Sequence, residues 1–357
     1  MKRLGEEMNL SQLQLEILNN PAHKIIVNAS AAAGKTALLT EKVRQVLRSG
    51  VDPREMAVIT FTNMAAAELK KRLGSDYKEG LFVGTIHALA NYFLTRSGID
   101  TSKMIESEKF DDFFEAIQEH PECVSHLMWI FLDEAQDSDE LQFNFLFERI
   151  QPTHFFICGD VRQSIYRWKG SRPDLLLGLT QRADVETVDL YQNYRNKFNI
   201  LRFAKRLIEP TGLYDRSQAM RLDDNGSVEK MEFSYNGIIK RLSAPWSDWA
   251  ILCRTNAEVD NFCMYCKKEK IPYLTFKQGD LTKEELDEKM QSDTVKILTI
   301  HSSKGLEWKN VVVVGIRASH MNLEEYSVAY VAATRARDQL IWTYYPKKTY
   351  KKSYSWE

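Results

Sequence analysis

The chain is 357 residues long and is 44 % hydrophobic, 11 % aromatic and 27 % charged. That balance excludes disordered, collagen-like and low-complexity classes, and the length suggests two domains at about 150 residues each. Basic residues number 48 against 49 acidic ones, so a site for a polyanion has to be a local groove and not a property of the whole surface. No run of about 18 apolar residues is present, and the start Met1-Lys2-Arg3-Leu4-Gly5-Glu6-Glu7 lacks the apolar stretch of a signal peptide. A cytoplasmic protein with no membrane association is expected. Cys123, Cys158, Cys253, Cys263 and Cys266 are too scattered for a disulfide framework and fit a reducing compartment.

Along the chain, short apolar runs alternate with helical stretches. Lys24 to Asn28, Met56 to Phe61, Leu127 to Leu132 and His154 to Cys158 are apolar on both faces, the pattern of central parallel strands covered by helices on either side. Between them, Ile105 to Glu122 carries Phe110, Phe113, Phe114 and Ile117 at helical spacing among Asp and Glu, which predicts one small amphipathic helix. The polar stretch from Asp215 to Ser227 reads as a turn or excursion. A second set of strands follows: Trp249 to Cys253, Val295 to Ile300, Asn310 to Val314 and Gln339 to Tyr344, with a charged helical segment from Gln278 to Gln291. The expected class is α/β, with two successive parallel sheets flanked by helices. No internal repeat is evident.

Two segments carry phosphate chemistry. Ala29-Ser30-Ala31-Ala32-Ala33-Gly34-Lys35-Thr36 lies directly after a strand and before the helical run Ala37 to Leu47. Such a loop lets backbone N–H groups meet phosphate oxygens, while Lys35 supplies a point charge and Thr36 a hydroxyl for Mg²⁺. Alone, the segment could be a small-residue helix start with a chance Gly-Lys-Thr. Downstream, Leu132-Asp133-Glu134-Ala135-Gln136-Asp137 ends an apolar strand, where a phosphate-loop enzyme places its Mg²⁺-holding carboxylate. Asp133 is expected to hold the metal through water and Glu134 to orient and deprotonate the attacking water. The pair points to an ATPase.

With these motifs in place, the chain resembles the UvrD, Rep and PcrA family of DNA helicases. Met8-Asn9-Leu10-Ser11-Gln12 resembles that family's adenine-reading motif, and Ile59 to Leu69 its single-strand contact motif. Val83-Gly84-Thr85-Ile86-His87, Gly159 to Gly170, Gln192-Asn193-Tyr194-Arg195, Ile297 to Glu307 and Ala329 to Ala336 follow in the family's order. The resemblance implies two tandem RecA-like domains with ATP in the cleft between them, here 1–188 and 189–357. It further implies that Gln12 bonds adenine and Tyr194 stacks on it. Gln163 senses the γ-phosphate, Glu307 contacts the nucleotide, and Arg195 and Arg335 act as arginine fingers. For the nucleic-acid track it implies base stacking on Phe61, Tyr166 and Trp168, with Thr62, Asn63, Thr85, His87, Lys169, Thr299, His301 and Ser302 at phosphates or sugars. The implied activity is 3′-to-5′ translocation on single-stranded DNA with unwinding at single-strand/duplex junctions, using ATP and Mg²⁺. A protein activator is left open as a partner.

The chain also departs from the family. Ala32 stands where Gly is usual and Ala33 where Ser or Thr is usual, which is expected to lower nucleotide affinity; Ala37 replaces a frequent Arg. Family members commonly carry two sizeable inserted subdomains. Here those gaps shrink to about 94–126 and 262–294, so translocation is a firmer expectation than vigorous unwinding. The alternative is a nucleic-acid-stimulated ATP switch or accessory subunit. Cys263-Met264-Tyr265-Cys266 has the spacing of half a zinc or redox site, but no second pair lies nearby in sequence and packing within a helix accounts for it better. The tail from Tyr344 to Trp356 mixes basic and aromatic residues and reads as a solvated end.

Overall fold

The computed structural model describes residues 10–124, 126–277, 281–317 and 320–345. Met8 and Asn9, the start of the charged segment at Gln278, and the tail beyond Tyr345 lie outside the described residues. Strands run in the order β1 (Lys24–Ala29), β2 (Met56–Ile59), β3 (Phe82–Gly84), β4 (Trp129–Leu132), β5 (His154–Gly159), β6 (Glu186–Leu190) and β7 (Gln192–Lys197). They continue with β8 (Gln218–Arg221), β9 (Ser227–Glu232), β10 (Trp249–Cys253), β11 (Tyr273–Leu274), β12 (Val295–Thr299), β13 (Trp308–Val314) and β14 (Ala336–Tyr344). Two compact units result. The first comprises the chain up to Ala29, Gly34–Asp160 and Gly170–Leu190; the second comprises Ser30–Ala33, Val161–Lys169 and the chain from Tyr191 onward.

The first unit holds one sheet in the order β3-β2-β4-β5-β1-β6, with every neighbouring pair parallel. Parallel pairing requires a crossover between strands, and burial on both faces explains the unbroken apolar runs. Ile26, Phe131 and Ile157 are fully buried. The second unit holds a sheet in the order β11-β12-β10-β13-β14-β9, again all parallel, and β7 pairs with β8 separately. One core of this unit packs Leu252, Val311 and Val313 against Ile200, Ala204 and the helix Leu323–Ala333; another packs Ile251, Ile297 and Val312 against Phe262 and Cys266. The α/β class with parallel sheets flanked by helices is the architecture expected from the apolar runs.

Two local expectations need correction. The insertion is not one helix but two short ones, Ser102–Glu106 and Asp112–Glu119, because Glu108 takes a left-handed φ of +55° between them. Phe113, Phe114 and Ile117 are buried as the spacing predicts, while Phe110 is exposed. The polar excursion after Asp215 contains a strand, β8. The charged segment, in contrast, holds a helix as expected, over Lys283–Gln291.

Candidate functional site

In open parallel sheets, ligands bind beyond the carboxyl ends of the strands. The carboxyl ends of β1 and β4, with Lys35–Thr36 and Asp133–Glu134 beyond them, meet that condition in the first unit, where β5 lies between the two strands. After β1 the chain turns tightly, with Ala33 N–H donating to the Ser30 carbonyl at 3.3 Å, and the helix Lys35–Arg48 begins. Two loop residues are left-handed: Gly34 at φ +84° and Ala32 at φ +56°. At its φ of +84° any other residue at Gly34 would be strained, and a Cβ there would lie 2.8 Å from Gln14 Nε2, so that side chain would have to shift. For Ala32 the conformation costs roughly 1–2 kcal/mol. This is the position where the sequence substitutes Ala for Gly. Ala32→Gly is therefore expected to tighten nucleotide binding severalfold, measured by titration of a fluorescent ATP analogue; weaker binding would contradict strain at this residue.

Lys35 and Thr36 open the helix and face the end of β4. Thr36 Oγ1 donates to Asp133 Oδ2 at 2.6 Å, and Lys35 Nζ lies 3.8 Å from Glu134 Oε1. Asp133 is buried, and its carboxyl is pushed upward, first by desolvation and then by the negative charge of Glu134, with Thr36 and Lys35 opposing. A buried carboxylate beside a second one is a place where a divalent cation lowers the free energy. The hydroxyl and carboxylate oxygens offered by Thr36 and Asp133 suit a hard ion such as Mg²⁺. Glu134 is itself left-handed at φ +55°, and its carboxylate accepts a hydrogen bond from Gln136 Nε2. Gln136 is fully buried, and its Oε1 accepts from the Asp160 N–H at 2.9 Å. Thus Gln136 orients Glu134, a part the sequence did not assign to it.

The glutamine beside this loop is not the one expected. Gln12 is exposed, and its Nε2 donates to Glu16 at 3.1 Å. Gln14 is buried, forms a capping box with Ser11 at the start of the helix Gln12–Leu18, and sets its Nε2 against Gly34. The capping pattern Ser-x-x-Gln, visible in the sequence, singles out Gln14.

In the second unit, the side chain of Gln163 is buried and its carbonyl accepts from Lys304 Nζ at 3.3 Å. Tyr194 is exposed; its N–H donates to the Ala32 carbonyl at 3.2 Å and its hydroxyl to Gln192 at 2.9 Å. Arg195 Nε donates to Glu307 Oε2 at 2.5 Å and Nη1 to the Thr334 carbonyl at 3.2 Å. Burial would raise the Glu307 carboxyl, but Arg195 holds it below the usual range. Arg335 is only 2 % exposed, and its guanidinium donates to the carbonyls of Val331 and Leu306, each at 3.1 Å. Two fully buried asparagines connect these parts. Asn193 Nδ2 donates to the Ala31 carbonyl and to Asn196 Oδ1, both at 2.9 Å, and Asn196 Nδ2 donates to the Thr334 carbonyl at 3.0 Å. The loop 30–33 and the segment carrying Arg335 are thereby tied through one amide pair.

The residues expected at nucleic acid divide between the units. In the first, Thr60 N–H donates to the Gly84 carbonyl at 3.0 Å, so Phe61, Thr62, Asn63 and Thr85 emerge side by side from β2 and β3. The Thr62 and Thr85 hydroxyls cap helices, accepting from Ala65 at 3.1 Å and Ala88 at 3.3 Å. His87 Nε2 lies 2.9 Å from Asp111 Oδ1 of the inserted segment, with the ring against Phe114. In the second unit, Tyr166, Trp168 and His301 group together, with ring separations of 6.0 and 6.2 Å to His301. Trp168 is 64 % exposed, and Lys169 Nζ sits 5.1 Å over its ring, while Lys304 covers Tyr166 at the same distance. His301 Nε2 lies 3.1 Å from the Ile165 carbonyl; the carbonyl only accepts, so this nitrogen carries the proton. Burial, and then Arg254, lowers the His301 pKa. Thr299 and Ser302 bond each other at 2.9 Å.

Cys263 and Cys266 lie on the helix Asn256–Lys268, and burial raises both thiols. Among the described residues no group of three or more His, Cys, Asp and Glu side chains could hold a metal ion, and no helix is long and apolar enough to cross a membrane.

Residues 10–122 and 112–184 match the UvrD/REP helicase N-terminal domain, and residues 276–347 match the UvrD-like helicase C-terminal domain. The chain is 24 % identical to the ATP-dependent DNA helicase PcrA of Leuconostoc citreum, over 74 % of this chain and 49 % of the relative. It is 28 % identical to the Gabija protein GajB of Bacillus cereus, over 52 % of this chain and 47 % of that protein. Against the ATP-dependent DNA helicase Rep of Salmonella typhimurium it is 24 % identical, over 73 % of this chain and 54 % of Rep. The chain thus spans about half the length of the curated relatives it matches. On both domain matches, in their order along the chain, this protein belongs to the UvrD/REP helicase family.

Proposed function

We propose that the chain is an ATP-dependent translocase on single-stranded DNA that unwinds duplex at single-strand junctions in the 3′-to-5′ direction. The observation that carries this reading is the set Lys35, Thr36, Asp133 and Glu134 at the carboxyl ends of β1 and β4, with Thr36 and Asp133 oxygens 2.6 Å apart. The loop 29–34 and Lys35 hold the phosphates, Thr36 and Asp133 hold Mg²⁺, and Glu134, oriented by Gln136, accepts a proton from the attacking water. Mg²⁺, when bound, neutralises charge on the phosphates. Gln163, Arg195 and Arg335 act at the γ-phosphate, Glu307 at the nucleotide, and Tyr194 at the base, where Gln14 supports reading better than Gln12.

Hydrolysis then alternates two grips on the strand: Phe61, Asn63 and their neighbours on the first unit, and Tyr166, Trp168, Lys169 and His301 on the second. Stacking on aromatics is indifferent to sequence and lets a chain of balanced charge bind a polyanion. Trp168→Ala is expected to weaken single-stranded DNA binding by ~1–3 kcal/mol, read by fluorescence anisotropy; unchanged affinity would remove Trp168 from the track. The five cysteines are unpaired, which suits a cytoplasmic setting, with DNA repair or replication as the field of action.

A second reading has its own observation. Among the described residues, short elements occupy the places where the resemblance leads one to expect sizeable inserts: the helices Ser102–Glu106 and Asp112–Glu119 in the first, and the strand β11 and the helix Lys283–Gln291 in the second. That favours an ATP switch, or a motor that unwinds only with a protein activator. Strand displacement on duplexes with 3′ or 5′ single-stranded tails separates the readings. Displacement from the 3′-tailed substrate alone supports the helicase. No displacement at excess enzyme, with DNA-stimulated hydrolysis retained, supports the switch.

A further inference from the structure

We infer that Asp215 is a positioning residue: through Arg162 and Tyr330 it fixes the turn that carries Gln163 relative to the helix that ends at Ala333, two residues before Arg335. The inference rests on the γ-phosphate roles proposed above for those two residues.

Three donors converge on the Asp215 carboxylate. Arg162 Nη1 donates to Oδ1 at 3.0 Å, the Ser217 N–H donates to the same oxygen at 2.9 Å, and the Tyr330 hydroxyl donates to Oδ2 at 2.9 Å. Arg162 Nη1 also reaches the Tyr214 carbonyl at 3.0 Å. The Arg162 and Asp215 side chains are 3 % and 1 % exposed, whereas Tyr214, one residue away, is 88 % exposed. A polar surface excursion therefore sends a single carboxylate into the interior of its unit. Burial alone would raise the Asp215 pKa, yet Arg162, Ser217 and Tyr330 hold it below the usual range.

A buried ion pair is a poor device for stability, because desolvation offsets much of the attraction. Its directional bonds are a better device for register. Arg162 sits in the turn Val161–Gln163, immediately before Gln163. Tyr330 is fully buried in the helix Leu323–Ala333, and its carbonyl accepts the Thr334 N–H at 3.0 Å, one residue before Arg335. The same segment is held again where Lys304 donates to the Gln163 carbonyl and His301 to the Ile165 carbonyl. Asp215 is thus the one carboxylate that bonds directly to both the turn and the helix among these contacts.

The test compares Tyr330→Phe, Asp215→Asn and Arg162→Lys with the parent chain. It measures steady-state ATP hydrolysis at saturating single-stranded DNA, the KM for ATP, DNA affinity and the thermal midpoint. Tyr330→Phe removes one hydroxyl and keeps the ring, so it folds as the parent does. Its kcat should fall about tenfold, equivalent to ~1.4 kcal/mol in the transition state, with KM and DNA affinity held within about twofold. Asp215→Asn should fall further and Arg162→Lys less. Adding Tyr330→Phe to Asp215→Asn should cost little more, because both act through one carboxylate. An unchanged kcat in Tyr330→Phe, or a kcat that falls only in step with the folded fraction, overturns the inference and leaves the proposed activity standing. Absence of hydrolysis by the parent chain overturns both.

Discussion

Glu134→Gln is expected to lower ATP hydrolysis by roughly 10²–10⁴-fold, the range for losing a positioned general base, while ATP still binds. The amide keeps the shape of the carboxylate and keeps its place beside Gln136 Nε2, but it cannot take a proton from water. Lys35→Ala is expected to abolish hydrolysis for a different reason. In the proposed site its ammonium group, 3.8 Å from Glu134, is the point charge for the phosphates, so nucleotide binding should be lost along with turnover. Equilibrium binding of a fluorescent ATP analogue distinguishes the two variants. Equal loss of binding in both would contradict the roles assigned to them.

Arg195→Ala is expected to reduce kcat by ~10³-fold or more, as removal of an arginine finger does, with a smaller change in the KM for ATP. Arg195 is the cleaner of the two arginines to test. Arg335 donates to two main-chain carbonyls of its own unit, so its removal also unsettles the segment between Leu306 and Val331. Arg195 gives one bond to a main-chain carbonyl, that of Thr334, and otherwise pairs with Glu307, a carboxylate whose side chain is 40 % exposed and remains hydrated when the partner is removed. Were Arg195 only a structural partner of Glu307 and Thr334, its loss would lower stability without lowering the kcat of the folded protein. Lysine should not rescue it, since a single ammonium cannot reproduce the planar fork. Single-turnover hydrolysis measures the effect, and a kcat within about threefold of the parent would remove Arg195 from the chemistry.

The central strands were legible because both of their faces are covered, which leaves an apolar run without alternation. The strands β6 and β9 lie at sheet edges, and their sequences, Glu186-Thr187-Val188-Asp189-Leu190 and Ser227-Val228-Glu229-Lys230-Met231-Glu232, mix polar and apolar residues as half-solvated strands do. The segment Ala29 to Thr36 and the Asp133-Glu134 pair could be singled out as candidates because their patterns are local in the chain, and the structure sets Thr36 against Asp133 and Lys35 near Glu134. What escaped was the supporting structure. Gln136, Asn193 and Asn196 act through bonds to residues far away in sequence, and a buried amide looks like any other amide until its partners are known. Asp215 was hidden in a stretch whose composition reads as solvated. Gln14 was the exception: its capping pattern with Ser11 is local, yet the neighbouring Gln12 drew the assignment.

The most direct measurement of the account is phosphate release from ATP by the parent chain, with and without single-stranded DNA, beside the Glu134→Gln variant. The account predicts hydrolysis by the parent chain that single-stranded DNA stimulates by about tenfold or more and that the variant lacks at every DNA concentration. No hydrolysis by the parent chain, or a rate that neither the DNA nor the substitution alters, would contradict it.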